Sequence, residues 1–166
     1  MNVFIINGIV SFVAALVLHE LGHYIAARVC AVPIKQAGFG WGPKIYGVRM
    51  RGVEYQLRLL PVGAYVQLDM RALQRQALWQ QLFVLGAGIG MNVVLCVLTW
   101  GTLFSSLNLA LAIGNVIPFY QLDGWKSGMV ICRKLFGRPS PLVEWTFTLG
   151  GGAIALAVLV RAFLNV

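Results

Sequence analysis

Both histidines of the chain fall within one short stretch, Leu18-His19-Glu20-Leu21-Gly22-His23. Residues four apart share a face of an α-helix, so the two imidazoles project together. Rings so placed can grip one zinc ion, and the intervening Glu20 can act as general base toward a zinc-bound water. The usual setting of this pattern is aqueous. Here it stands near the end of an apolar run from Asn2 to Ala27. The alternative is a pair of buried, hydrogen-bonded histidines. Against it, every histidine of the chain is spent on one face beside a glutamate.

A catalytic zinc needs three protein ligands and an open position. No third histidine exists, which leaves a carboxylate or a cysteine. With Glu20 reserved as base, the carboxylates are Glu54, Asp69, Asp123 and Glu144. Asp123 stands apart, because no charged residue occurs from Gln76 to Leu122 just before it. A carboxylate in such a setting is costly and points to function. Its other reading is an N-cap for a half-helix beginning at Gly124, and the two roles can coexist. Glu54 falls on the polar face of an alternating segment, while Asp69 and Glu144 fall at segment ends, where charges are expected. Asn115, eight residues before Asp123 and close to Pro118, could hold an extended backbone or an oxyanion. It could equally satisfy carbonyls freed by the proline.

The elements that must position these residues look built for lipid. Of 166 residues, 59% are hydrophobic and 11% charged, the balance of a polytopic α-helical membrane protein. The net charge of +8 fits orientation and anionic headgroups. No basic helix or aromatic–basic platform supports a nucleic-acid partner. Cys30, Cys96 and Cys132 are too scattered for a disulfide framework and read as packing residues. Asn2 to Val29 is a first span, retained rather than cleaved as a signal. Between Pro33 and Leu68 the glycines and prolines argue against helix, and Val53, Tyr55, Leu57 and Leu59 alternate with Glu54, Gln56 and Arg58. That predicts a β-hairpin turning at Arg51-Gly52, with a further extended piece over Val62–Leu68. Met70 to Gln81 reads as an amphipathic interfacial helix or, equally, as the solvated start of the next span. The uncharged run is long enough for about two spans, predicted as Leu82–Phe104 and a broken third over 107–136. The break between them is placed near Ser105-Ser106-Leu107-Asn108. Leu142–Leu164 is a fourth. Eight cations lie between Arg28 and Arg75 and four between Lys126 and Arg138. The positive-inside rule then puts both basic loops, and the histidine motif, toward the cytoplasm, with both termini outside.

His19-Glu20-Leu21-Gly22-His23, together with Asn115-x-x-Pro118-x-x-x-Leu122-Asp123-Gly124, resembles the site-2 protease family of intramembrane zinc metalloproteases. Ala87-Gly88-Ile89-Gly90-Met91-Asn92 is similar to the A-G-P-x-x-N of that family's second core helix. Leu60-Pro61-Val62-Gly63-Ala64-Tyr65-Val66 is similar to its P-x-G-G-Y-V segment. The resemblance implies one zinc held by His19, His23 and Asp123, with Glu20 as base and Asn115 on the substrate. It also implies that the hairpin region, with Gly63, Ala64 and Tyr65, lines the path to the site and pairs with an unwound substrate. The implied substrate is a single-span protein of a bacterial inner membrane. Ile89, Ala64 and Trp125 depart from the family pattern without removing a ligand, and Trp125 could narrow the space near the metal. The expectation is a compact member without a PDZ domain. Selectivity would then come from a partner, self-association, prior substrate cleavage or free access. The rival readings are a non-catalytic zinc-binding membrane module and a metal transporter.

Overall fold

The computed structural model describes residues 2–117, 122–137, 145–146, 149–153, 156–157 and 160–161. It begins with α1, Asn2–Val29, whose apolar N-terminal half is largely exposed. The helix closes through Ala31 at φ 54°, with Ala31 N–H donating to the Arg28 carbonyl and Val32 N–H to that of Ala27. This is the usual left-handed helix stop, and Pro33 prevents any restart.

Two long antiparallel strands follow, β1 (Ile34–Met50) and β2 (Val53–Leu68), joined at Arg51-Gly52 as predicted. Both turn residues have positive φ, 49° and 81°, the pairing that a tight hairpin turn needs. The strands also double back on themselves. Gln36–Phe39 lies between two parts of β2, running antiparallel to 64–67 and in ascending register beside 54–57, while 46–50 flanks the far side of 53–57. The expected extra piece over Val62–Leu68 is thus the second half of β2, and it forms an outer edge. Asp69 N–H donates to the Pro33 carbonyl and ties the two ends of the sheet together.

Met70–Gln81 is not one helix. α2 ends at Gln74 and α3 runs from Leu78 to Leu98. The backbone breaks because each helix has its own start. Asp69 accepts from the N–H groups of Arg71 and Ala72, and Gln80 reaches back to the N–H of Ala77. The next break also differs from expectation. Gly101 takes φ 83°, Thr102 caps Ser105 N–H, and α4 runs Leu103–Val116. Ser105 and Asn108 are not loop residues but buried polar groups of α4. Ser105 Oγ donates to the Cys96 carbonyl, and Asn108 Nδ2 to that of Phe104. α5, Asp123–Phe136, completes the described elements.

α1 and α3 are long and apolar enough to cross a membrane, and α4 is a shorter apolar helix. Pro118 and most of the predicted fourth span over 142–164 lie outside the described residues. α3 packs against α1, α4 and α5. The main core gathers at the C-terminal end of α1, where Ala27, Val53, Leu73, Val84 and Val130 bring four helices and the sheet together. The three cysteines are free.

Candidate metal centre and active site

His19 and His23 lie on the buried face of α1, turned toward α3. Each ring has its outer nitrogen engaged. His19 Nδ1 lies 3.2 Å from Asn92 Oδ1, and His23 Nδ1 donates to the Val84 carbonyl at 2.8 Å. Both Nε2 atoms therefore point inward as bare lone pairs. Asp123, in the first turn of α5, brings Oδ2 to 3.0 Å from His19 Nε2 and 2.9 Å from His23 Nε2. The two Nε2 atoms are 3.3 Å apart. Three acceptors this close repel one another unless a cation lies between them. Tetrahedral zinc with ligands at 2.0–2.1 Å separates neighbouring ligand atoms by about 3.3 Å. The donor set and its spacing fit one zinc ion.

Gly88 of α3 is what leaves room. A Cβ at this position would run into both Nε2 atoms. Asp123 Oδ1 receives a second contact, from Lys126 Nζ at 3.2 Å. Because Leu122 occupies the cap position of α5, Asp123 sits one residue inside the helix, not at its cap. There its carboxylate faces the positive end of the helix.

Glu20, half-buried, points from α1 to the sheet, and its carboxylate accepts the Val66 N–H at 2.9 Å. Val66 belongs to the outer stretch of β2 and pairs with Ala37 on its other side. Alternation along a strand gives Ala64 the same outward edge. The edge of the sheet thus ends against the carboxylate beside the metal cluster.

The other carboxylates are occupied elsewhere. Glu54 takes Lys44 Nζ, which holds its carboxyl below the usual range. Asp69 caps α2 and lies 3.4 Å from Lys35; the Ala72 N–H is the main reason its carboxyl is held low. Glu144 lies outside the described residues. Asn115 is in the last turn of α4, with Nδ2 donating to the Leu111 carbonyl at 3.0 Å. One of its two amide hydrogens is thus spent on its own helix. Gly63 and Ala64 line an apolar groove with Trp41, Leu60 and Val62. Tyr65 lies across the sheet over Gly38, and its hydroxyl donates to Gln56 at 2.7 Å. Sequence reasoning missed the Val66 amide and the parts played by Asn92 and Gly88. The last two stand in the Ala87–Asn92 motif, but their contact with the histidines exists only once α3 packs on α1.

A profile described as peptidase family M50 matches residues 7–106. That stretch holds His19, Glu20, His23, the sheet and Asn92, but not Asp123. The protein named "Putative zinc metalloprotease CPE1693", from Clostridium perfringens, is 34% identical over 124 residues, which cover 69% of this chain and 37% of that protein. "Zinc metalloprotease Rip1" of Mycobacterium tuberculosis is 32% identical over 120 residues, 58% of this chain and 30% of that protein. The chain thus spans little more than a third of the length of these relatives at most.

Proposed function

The chain belongs to peptidase family M50, and on that premise we propose that it is an intramembrane zinc metalloendopeptidase. Its substrate is a single-span membrane protein, cut in or near the transmembrane segment. The observation that carries this reading is the meeting of three metal-ligating groups with a carboxylate and an outer strand edge.

His19, His23 and Asp123 would hold the ion. Zinc bound there supplies a Lewis acid that activates water and polarises the scissile carbonyl. Glu20 accepts the proton as the water oxygen joins the carbonyl carbon, then delivers it to the departing amine as the C–N bond breaks. Asn92 and the Val84 carbonyl keep the imidazole rings turned so that Nε2 faces inward. A substrate helix must lose its internal hydrogen bonds before its backbone is reached. The outward N–H and C=O groups of Ala64, and those of Val66 once its N–H leaves the Glu20 carboxylate, replace them by strand addition. Asn115 holds the substrate once its amide leaves the Leu111 carbonyl.

We place the site in a single domain of four spans, the third broken between α4 and α5. The basic connection after α1 faces the cytoplasm and both termini the other side, as the cation count supports. Arg28 then marks the headgroup level, and His19, nine residues earlier, lies roughly 14 Å deeper.

The test is co-expression with single-span substrates, comparing wild type with Glu20→Gln. A metal-dependent fragment should fall by about 100-fold or more in the variant, with bound zinc unchanged. Equal cleavage by Glu20→Gln overturns the proposal. In Asp123→Ala, zinc content should drop; full retention removes Asp123 from the ligand set.

A further inference from the structure

The C-terminal end of α1 meets the hairpin turn at a second polar site, lined by none of the three metal-cluster residues. Among the described residues, two that are not glycine have positive φ: Ala31 at 54° and Arg51 at 49°. Both line the same open concavity, of about 320 Å³, together with Arg28 and Gly52. Ala31 is explained by the helix stop. Arg51 is not explained by its turn, where asparagine or glycine adopts this conformation with far less strain. An arginine there brings a second guanidinium to a groove that already has one.

The two cations are differently held. Arg28 is fixed, with Nη2 donating to the Tyr24 hydroxyl at 3.1 Å and its guanidinium 5.3 Å from the Tyr24 ring centre. Tyr24 is in turn bonded to the Tyr55 hydroxyl at 2.6 Å. A guanidinium has five N–H donors, so most of Arg28's remain for an external acceptor. Arg51 makes no hydrogen bond or ion pair with a described residue. An adjoining concavity of about 400 Å³ is lined by the same two arginines with Tyr24 and Tyr55. Among the described residues, no carboxylate lines either one.

We propose that Arg28 and Arg51 form a binding site for the phosphate of an anionic phospholipid headgroup. The acceptor chemistry follows from two arginines lining the same two adjoining concavities, a pairing suited to a phosphate's several oxygens. Lipid is the source because Arg28 is the first cation of the chain, near the end of an apolar α1 whose other charged residue is Glu20, at the level where a span leaves the hydrocarbon. An anionic headgroup is favoured over a zwitterionic one, whose own cation would be repelled by the pair. A lipid held there clamps the hairpin turn to α1. The site rests on the chain lying in a membrane and not on its peptidase activity.

The experiment uses the full chain in neutral detergent and measures binding of phosphatidylglycerol and phosphatidylcholine by native mass spectrometry. Phosphatidylglycerol should bind more tightly. Arg51→Gly should weaken it about fivefold, the worth of one interfacial arginine. This variant relieves the turn, so folding is not at risk, and circular dichroism checks it. Arg28→Gln should act in the same direction, and Arg71→Gln, a basic residue away from the groove, should leave binding unchanged. Equal binding of the two lipids, no effect of Arg51→Gly, or an equal loss in Arg71→Gln each overturns the proposal. Displacement of the lipid by equimolar inorganic phosphate would assign the groove to a soluble anion and overturn it as well. Zinc content and Glu20-dependent cleavage are separate readouts, so failure here leaves the peptidase reading untouched.

Discussion

A histidine offers a metal one ring nitrogen only if the proton on the other has somewhere to go. For His23 that place is a backbone carbonyl, which no substitution removes, whereas for His19 it is the side chain of Asn92. The two proposed ligands therefore differ in vulnerability. Asn92→Leu keeps the branched shape, in a somewhat larger side chain, but removes the acceptor, so His19 loses its orientation. Zinc affinity should fall by about 10- to 100-fold, read by competition with a chromophoric chelator, while Asn92→Asp should retain the ion. Unchanged affinity in Asn92→Leu would show that packing alone orients the ring. Gly88→Ala should act more severely, because the new methyl group occupies the space at both Nε2 atoms. Its zinc content should approach that of Asp123→Ala, with the helical signal retained. The histidine spacing and the isolation of Asp123 were legible in the sequence. The residues that tune them were not, because Asn92 is 73 positions from His19 and only the α1–α3 packing joins them.

Among the elements, the sheet does the most that a sequence pattern cannot disclose. Alternation over Val53–Leu59 correctly marks a strand with one apolar face, and Arg51-Gly52 correctly marks the turn. Alternation says nothing, however, of which strand lies beside which. The fold-back that sandwiches Gln36–Phe39 and sends 64–67 to the outside decides which amides are free. The helix breaks were misplaced for a related reason. Polar residues such as Ser105 and Asn108 look like a loop in one dimension and are partners of neighbouring backbone in three. The outer edge gives a sharp prediction. Proline is tolerated on an outer edge where its missing N–H would point away from the sheet. Val66→Pro should therefore leave the fold and zinc content intact, yet remove the donor that faces Glu20 and the incoming substrate. Cleavage should fall about tenfold or more, roughly the loss of one well-placed hydrogen bond to a charged or reacting group. The matching change one residue earlier, Tyr65→Pro, removes an inward N–H and should unfold the sheet. Cleavage by Val66→Pro at the wild-type rate would mean that substrate does not add to this edge.

At the scale of the whole molecule, the sheet runs back alongside α1 rather than out into solvent. Ile34 and Leu68 start beside the end of the helix, Val66 reaches the level of Glu20, and the fold-back around Trp41 and Leu60 lies further on. At about 3.3 Å per residue, Leu60 lies roughly 20 Å beyond Val66 by chain length, and less in space because the strand bends. The burial pattern agrees with that course. Val53, near the turn, is buried in the core, while Trp41, Leu59, Leu60 and Val62 are apolar and exposed at the opposite end, as Tyr46 and Met50 are on the turn side. We propose one common origin for the exposed apolar side chains at that opposite end and the arginines at the turn: the sheet enters the membrane tip first. This predicts a gradient in chemical access. With Cys132 replaced by serine, Cys30 and Cys96 remain buried and silent. A cysteine in place of Arg51 should then react with a membrane-impermeant maleimide in inverted vesicles, and not in right-side-out vesicles if the basic loops are cytoplasmic. A cysteine in place of Leu60 should be protected in both and react only after detergent. Labelling of Leu60→Cys at the rate of Arg51→Cys would put the tip in water. Reaction of Arg51→Cys only in right-side-out vesicles would reverse the orientation while leaving the depth of the site unchanged. The tip must be sheltered for the edge at Val66 to work as a docking strand, since bulk water would compete for the same N–H and C=O groups that the substrate has to find.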